Sequence, residues 1–454
     1  MDINKLTKKE LLVVCEQLGI TRCLSKNKTE LIVLISNKGA TVSSIPVPTV
    51  VVPTVETPVR VPSRRFIDLF CGIGGFHQAM LRIGGECVFA CDIDANCRRV
   101  YESNYGLAPE SDITKIDITK IPDFDILCAG FPCQAFSNSG KKKAFEDARG
   151  GLFEHILKIA NLKRPQFLFL ENVKHIKKIN NGDVYRHILK RINETGYVVN
   201  EQTVFELSPH QLGIPQQRER VIFVCIRSDI YQTETKIVIS PPPVGIDFNL
   251  ILEKDAAKLE KYRISQETED VLEIWDEMIR SFDTDENLSP TILCNEFHTT
   301  YSPEEFAKLA DWKQEYITRN KPIYNKYKES WDQWYTANQP MLSKKEIYGK
   351  LEWQVGKTKA DESIFNHFIQ FRQSGIRVKR ALYFPTLVAI VQTPIYAKER
   401  RYITPRECAR LQSFPETFIM SENDHTAYKQ FGNAVNVDVV HYVIRETLSA
   451  YKLL

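Results

Sequence analysis

The stretch FIDLFCGIGGF, residues 66–76, predicts how the main fold of this chain begins. An apolar run leads into a glycine-rich turn and then an amphipathic segment, the order of a strand, a ligand-binding turn and a helix. Gly72 and Gly74 permit a backbone close to a ligand. A dinucleotide fingerprint requires another glycine where His77 stands, so NAD binding fits poorly. Asp92 follows at the end of the next apolar run, where an acid can hold ribose hydroxyls.

The same alternation of apolar and amphipathic segments continues to residue 227 and predicts a doubly wound α/β sheet. The predicted strands are 65–70, 88–92, 125–129, 167–171 and 221–227, and the predicted helices are 75–83, 94–104, 151–162 and 183–195. The rhythm breaks between about 240 and 400. A helix near 405–413 and a last helix from about 436 restore it.

Composition indicates a folded protein of the cell interior. The 454 residues are 43% apolar and 26% charged, and no apolar run reaches the ~18 residues of a membrane span. The charged N-terminus lacks the apolar core of a secretory signal. Eleven scattered cysteines without a CxxC pair argue against a disulfide framework and structural zinc. We therefore expect an intracellular protein, not secreted, that binds no metal.

The net charge of +3 conceals an uneven distribution. Residues 1–40 hold seven cations and four acids, and the remaining chain balances to zero. Within it, residues 241–310 carry −10 and residues 311–400 carry +7. Such asymmetry favours a surface for a polyanion. We expect the acidic stretch to be a solvated helical insertion that faces away from that polyanion.

Residues 1–40 form a separate module with two predicted helices. Capping boxes start at Thr7 and Asn27, and apolar residues recur at helical spacing behind each. Five prolines in residues 41–63 predict an extended linker. The module is similar to the SAP-like DNA-binding fold, and a packing or oligomerisation hairpin is the alternative.

Three more motifs follow predicted strands, where open α/β sheets bind ligands. AGFPCQAFSNSG, residues 129–140, contains Cys133, a nucleophile if its thiolate is stabilised. Most free cysteines are simply buried apolar residues, but Cys133 is accompanied by reactive residue types in the next two motifs. Glu171 ends the next strand, with a salt-bridged carboxylate as the alternative. Arg218 and Arg220 alternate with Gln216 on one strand face, or form a solvated edge.

In order and spacing, six blocks resemble the cytosine-5 DNA methyltransferases that use S-adenosyl-L-methionine. They are FIDLFCGIGGF at 66–76, GFPCQAFS at 130–137, ENV at 171–173, PQQRER at 215–220, RYITPRECARLQSFPE at 401–416 and QFGNAVNV at 430–437. Phe131 stands where the family commonly has Pro or Gly. The resemblance implies a Rossmann-like methyltransferase with a mixed doubly wound sheet, a smaller target recognition domain and the N-terminal helical hairpin.

The resemblance also implies a covalent mechanism on a cytosine flipped out of duplex DNA. Cys133 would attack C6, Glu171 would hold and protonate N3, and Arg218 would bind O2, with Arg220 nearby in the same catalytic group. The implied cofactor residues lie in four places along the chain: Asp68, Phe70, Gly72 and Gly74; Asp92 and Ile93; Asp112 and Ile113; Asn433 and Val435.

Residues that would contact DNA follow from the same resemblance. They are Ser137, Lys141, Lys142, Lys143, Gln216, Arg372, Arg377, Lys379 and Arg380. The predicted domains are the module 1–40, the linker 41–63, a catalytic domain 64–240, a recognition domain 241–396 and a C-terminal return 397–454.

We expect a monomer that modifies specific sites in double-stranded DNA, in the manner of a restriction-modification methyltransferase. A catalytically silent DNA-binding homologue and an RNA cytosine-5 methyltransferase are the alternatives. The recognition region is long, which disfavours the tRNA-methylating relatives.

Overall fold

The chain divides into two units, Met1–Val61 and Pro62–Leu454. The computed structural model describes Leu11, Cys15 and residues 28–37, 64–132, 150–390 and 392–454. In the N-terminal unit, helix α1 spans Lys28–Asn37, where the sequence predicts the second helix of the module. Leu31 and Ile35, one turn apart, are buried. Of the predicted first helix the structure describes Leu11 and Cys15, both helical and buried, and the linker lies outside the described residues. The DNA-binding interpretation of the module stays a prediction.

The larger unit opens with a mixed seven-stranded sheet, as the α/β alternation predicts. Its strands are β1 (Arg65–Leu69), β2 (Glu86–Cys91), β3 (Ile126–Gly130), β4 (Phe167–Val173), β5 (Tyr197–Val198), β6 (Val204–Leu207) and β7 (Arg220–Arg227). Their order is β2-β1-β3-β4-β7-β5, with β6 also paired to β7. β1 to β4 run parallel, whereas β7 is antiparallel to β4. The carboxyl ends of four strands and the start of β7 therefore meet at one edge.

Helices cover both faces of this sheet because its central strands are apolar on both sides. They are α2 (Gly75–Leu81), α3 (Ala95–Tyr105), α4 (Gly150–Lys163) and α5 (Asp183–Glu194). Asp94 caps α3 by accepting from the Asn96 and Cys97 backbone N–H groups. The last helix of the chain returns to this sheet and packs against α2.

The region predicted as the recognition domain, called the recognition lobe below after that prediction, has its own sheet and core. Its strands, in the order β13-β12-β10-β11-β9-β8, are β8 (Thr291–Leu293), β9 (Lys350–Gln354), β10 (Phe368–Arg372), β11 (Gly375–Lys379), β12 (Ile395–Tyr396) and β13 (Arg401–Tyr402). Its helices are α6 (Ala256–Leu259), α7 (Gln266–Arg280), α8 (Pro303–Ala307), α9 (Asp311–Lys326) and α10 (Lys328–Leu342). Trp275, Trp331 and Trp334 pack together in the core, as expected of most aromatics here, while Trp312 is exposed.

The acidic stretch 241–310 is not a solvated insertion, and that expectation is wrong. Helix α7 buries Val271, Leu272 and Trp275 in the core of the lobe, and strand β8 joins its sheet. The acids instead face cations of the basic half. The pairs include Glu267 with Lys344 and Lys345, Asp283 and Glu286 with Lys326, and Glu269 and Glu273 with Arg400.

A buried ion pair between Arg401 and Glu407 holds the segment through which the chain returns to the first sheet. The Glu407 carboxylate accepts both Arg401 Nη groups at 2.8 Å, the Thr404 N–H at 2.7 Å and the Glu253 N–H at 2.8 Å. Helices α11 (Pro405–Leu411), α12 (Asp424–Asn433) and α13 (Val437–Ala450) follow. No helix among the described residues is long and apolar enough to cross a membrane.

We predict that Glu407→Ala lowers the free energy of unfolding by about 3–5 kcal/mol, because both buried Arg401 Nη groups lose their carboxylate and Glu399 remains only at Nε, 2.7 Å away. Urea denaturation measures the change. The control is Glu416→Ala, which removes an exposed carboxylate paired with Arg410 and should cost less than about 1 kcal/mol. Equal effects of the two substitutions would contradict the prediction.

Candidate active site

The glycine turn after β1 has an alternating left-handed backbone. Phe70, Gly72 and Gly74 have φ of 53°, 53° and 88°. A Cβ added at Gly74 would lie 2.4 Å from the Tyr105 ring, so only glycine fits there, whereas space around Gly72 is open to at least 4 Å. The Tyr105 hydroxyl donates to the Gly74 carbonyl at 3.0 Å. The turn is thus supported from behind and open in front, which suits a bound ligand.

Asp92 lies at the end of β2 and holds this turn. One carboxylate oxygen accepts the Gly72 N–H and the other accepts the Asp94 N–H, both at 2.8 Å. Burial raises the pKa of Asp92. The next side chain, Ile93, is 78% exposed although it is apolar. An acid beside an exposed apolar side chain suits a ribose and its base.

Asp68 is a buried carboxylate with unused acceptor capacity. It is 1% exposed and faces the His77 backbone N–H, yet neither oxygen makes a hydrogen bond of ordinary geometry within the described part of the chain. Burial, with Asp92 adding to it, raises the pKa of Asp68 well above its usual range. A buried acid of this kind fits a cofactor that carries positive charge, as the methionine part of S-adenosylmethionine does.

The other predicted cofactor residues differ in exposure. Asp112 binds the Thr114 N–H and hydroxyl through one oxygen, at 3.0 and 2.7 Å, and Ile113 after it is buried. Val435 packs so closely on the turn that a Cβ added at Gly75 would lie 2.5 Å from its methyl group. Asn433 is exposed. The C-terminal block therefore adjoins the glycine turn.

Cys133, Ser137, Lys141, Lys142 and Lys143 lie outside the described residues. The chain that leads to them follows β3, and Gly130 pairs with Glu171 on β4. The Asn172 amide donates to the Phe131 carbonyl at 2.9 Å, which anchors the start of this loop. We did not assign Asn172 a role from the sequence, although its place beside Glu171 in ENV was a usable signal.

Glu171 and Arg220 form a buried pair at the same edge. Arg220 Nε lies 2.8 Å from Glu171 Oε1, and both side chains are largely buried. Burial raises the pKa of Glu171, and the nearby Arg220 and Arg218 charges oppose that shift. The Glu171 carboxyl group therefore retains a proton more readily than an exposed glutamate does, and it lies beside the fixed positive charge of Arg220.

The resemblance implies that Arg218 binds the base O2, but in this structure its side chain is buried against backbone. Its side chain is 2% exposed, and it donates to the Leu387 carbonyl at 2.6 Å and to those of Gly432 and Ala434 at 2.9 Å. Its two Nη groups are occupied by backbone. Arg220, the neighbour on the same strand face, is the arginine beside Glu171.

The prediction that Gln216 contacts DNA is also wrong, because the side chain is fully buried in this structure. Its segment is paired with Phe384, which donates to the Pro215 carbonyl at 2.7 Å. Lys379 reaches this segment through Gln217, with Nζ 2.9 Å from Oε1.

The remaining predicted DNA-binding cations lie on the recognition sheet. Arg377 pairs with Glu352 at 2.6 Å, and Arg372 donates to Gln392 at 3.2 Å. Arg380 is partly buried. Their DNA contacts stay predictions.

A glycine turn, a strand-end acid and a carboxyl–guanidinium pair on a mixed doubly wound sheet define a Rossmann-like methyltransferase. The family model of the C-5 cytosine-specific DNA methylases matches residues 64–449, and the chain belongs to that family. It is therefore a DNA (cytosine-5)-methyltransferase that depends on S-adenosyl-L-methionine.

Relatives match most of the larger unit. The type II methyltransferase M.HhaI of Haemophilus parahaemolyticus is 30% identical over 379 residues, which cover 84% of this chain and 92% of that protein. M.HpaII of Haemophilus parainfluenzae is 31% identical over 382 residues, 83% and 86% of the two chains. A solved methyltransferase of Entamoeba histolytica, EhMeth, aligns at 17% identity with a TM-score of 0.49, over 85% and 98% of the two chains.

We predict that the two arginines separate on mutation. Arg218→Met leaves three buried carbonyls unpaired and should lower the free energy of unfolding by roughly 3 kcal/mol or more. Arg220→Met should cost less stability than Arg218→Met, because the Glu171 carboxyl left behind can take up a proton, and it should lower kcat about 100-fold, the usual effect of losing one such electrostatic group. Urea denaturation and labelled methyl transfer measure the two effects. Loss of stability in Arg220→Met alone would contradict the assignment.

Proposed function

We propose that this enzyme methylates C5 of a cytosine flipped out of a specific site in duplex DNA, through a covalent bond between Cys133 and C6. The observation that carries the proposal is the buried Glu171–Arg220 pair, at the sheet edge where β3 ends with Gly130, three residues before Cys133 in the sequence. The glycine turn, Asp68 and Asp92 are also present, and these predicted cofactor residues favour an active enzyme over a catalytically silent DNA-binding homologue.

The chemistry must overcome the weak nucleophilicity of C5. The Cys133 thiolate adds to C6 while Glu171 donates a proton to N3, so negative charge does not accumulate in the ring. Arg220 stabilises the developing charge at O2 and orients Glu171. S-adenosylmethionine supplies the electrophilic methyl group that C5 then accepts. A base removes the C5 proton, Cys133 leaves from C6 as the thiolate, and N3 returns its proton to Glu171, which restores the neutral aromatic ring.

The cofactor residues have complementary proposed roles. The open face at Gly72 admits the ligand, Asp92 takes the ribose hydroxyls, and Ile93 packs on the adenine. Asp112 and Ile113 bind the adenine edge, and Asp68 balances the positive methionine part. Asn433 and Val435 close the pocket from the C-terminal block.

We further propose that the enzyme acts as a monomer on DNA inside the cell. The M.HhaI and M.HpaII names suggest the modification half of a type II restriction system.

Duplex DNA containing 5-fluorocytosine should trap the enzyme, because fluorine cannot leave C5 as a proton does. We expect a covalent adduct with the wild type and none with Cys133→Ala, measured by denaturing electrophoresis. The control is Cys294→Ala. Burial raises the pKa of Cys294 to about 12, which keeps it an unreactive thiol. An adduct that survives Cys133→Ala would refute the mechanism, and bisulfite sequencing of methylated DNA would give the target site.

We propose that the N-terminal module adds affinity for DNA through its seven cations. Removal of residues 1–60 should weaken binding of duplex DNA at low salt and flatten its dependence on salt concentration. The measurement is a salt titration of Kd, with methyl-transfer rate at saturating DNA as the control. Unchanged affinity at low salt would contradict the proposal.

A further inference from the structure

Helix α12 is joined to the start of α3 by an ion pair between residues that are 335 positions apart. Asp94, the residue before α3, accepts the Asn96 N–H at 2.8 Å through one carboxylate oxygen. Lys429 Nζ, from α12, lies 3.0 Å from the other oxygen. The Asp94 side chain is 28% exposed and that of Lys429 is 48% exposed. The pair is therefore partly shielded from solvent, and it ties the C-terminal block to the residue that begins α3.

Asp94 is connected in turn to the carboxylate that we assign to the ribose. Its backbone N–H donates to one Asp92 oxygen and the Gly72 N–H donates to the other, both at 2.8 Å. Arg98 Nη1 holds the same stretch, because it donates to the Asp92 and Ile93 carbonyls at 2.8 and 2.9 Å. A displacement of Asp94 would therefore change the orientation of the Asp92 carboxylate and of the exposed Ile93 side chain.

The same lysine lies one helical turn before Asn433. Because four residues separate them in α12, the two side chains lie on one face of that helix. The pairing of Lys429 with Asp94 turns this face towards the start of α3, where Ile93 precedes Asp94. The ion pair thus helps to set the separation between Ile93 and Asn433, which we propose to lie on either side of the cofactor.

A second contact fixes the direction of the C-terminal return along α3. The Asn104 amide donates to the Ile419 carbonyl, and the Ile419 N–H donates to Asn104 Oδ1, both at 2.8 Å. Asn104 lies in the last turn of α3, and Ile419 precedes α12. The return therefore contacts α3 at both ends, and the Lys429 pair is the attachment at the end that adjoins the cofactor turn.

We propose that Lys429 is a positioning residue for S-adenosylmethionine. Through Asp94 it fixes Asp92 and Ile93 on one side of the cofactor, and through α12 it fixes Asn433 on the other. The inference rests on the proposed cofactor roles of those three residues. Because Lys429 acts through its neighbours and not on the reacting atoms, its loss should weaken cofactor binding and leave the methyl-transfer step unchanged.

The test measures the Kd for S-adenosylmethionine by calorimetry on the full-length enzyme, and KM and kcat on a duplex that bisulfite sequencing shows the wild type to methylate. We expect Lys429→Met to raise Kd and KM for the cofactor roughly two- to fivefold, the size expected of a half-exposed ion pair. At saturating cofactor, kcat should equal that of the wild type. Lys429→Arg should restore most of the affinity, because a guanidinium can pair with the same carboxylate. Thermal melting confirms that each variant folds.

A double-mutant cycle separates the ion pair from the helix cap. Asp94→Asn removes the charge and keeps a good N-cap residue. It should weaken cofactor binding about as much as Lys429→Met, and the double variant should bind no more weakly than either single variant. High salt should narrow the difference between wild type and Lys429→Met, because a half-exposed pair is screened.

The matched control is Lys261→Met, which removes an ion pair at the other end of the same helix. Lys261 Nζ lies 2.6 Å from the carboxylate of Asp424, the first residue of α12, and Lys261 follows α6. This variant should bind S-adenosylmethionine as the wild type does.

Wild-type affinity for the cofactor in Lys429→Met and Asp94→Asn, additive losses in the double variant, or an equal loss in Lys261→Met would overturn the inference. Ile93→Ser and Asn433→Ala test the proposed cofactor site separately. Wild-type Kd in both of these variants would count against that site itself.

Discussion

The buried Arg218 guanidinium joins three segments that are far apart in the chain. It donates to carbonyls of Leu387, Gly432 and Ala434, which are 169, 214 and 216 residues away. The site excludes water, so displacing any one of these segments would leave its carbonyl or the guanidinium without a hydrogen-bond partner. The three segments therefore have few alternative arrangements around Arg218. The residues just before β7, the segment at Leu387 and the C-terminal block therefore assemble together. Arg220 then faces Glu171, and Val435 packs against the cofactor turn.

The recognition lobe uses charge differently. Its acidic and basic halves meet in many half-exposed pairs, which explains how a −10 stretch and a +7 stretch fold into one lobe. Such pairs individually add little stability, and Trp275, Trp331 and the strands around them supply the core. Opposed charge along the sequence thus reflects internal pairing as much as a surface for DNA.

Local pattern predicted most of the first sheet, because strands and helices depend on the period of apolar residues. Strands β1 to β4, the glycine turn and the last helix lie within a few residues of their predicted bounds. The motif likewise predicted a glycine turn at Gly74, but it did not predict that the Tyr105 ring packs there and excludes a side chain. The acidic stretch differs from its prediction because its high charge density conceals a narrow apolar stripe, and Val271, Leu272 and Trp275 on that stripe of α7 are buried in the core.

The sequence by itself determined the α/β class and the family, since these depend on short motifs and their order. Only the tertiary structure decided how neighbours within one motif divide their work. Gln216, Arg218 and Arg220 alternate identically along the chain, yet two are buried by segments from the far end of the sequence and one pairs with the Glu171 carboxylate. The physical reason is that burial and hydrogen-bond satisfaction depend on what packs against a residue, and those partners lie well over a hundred residues away.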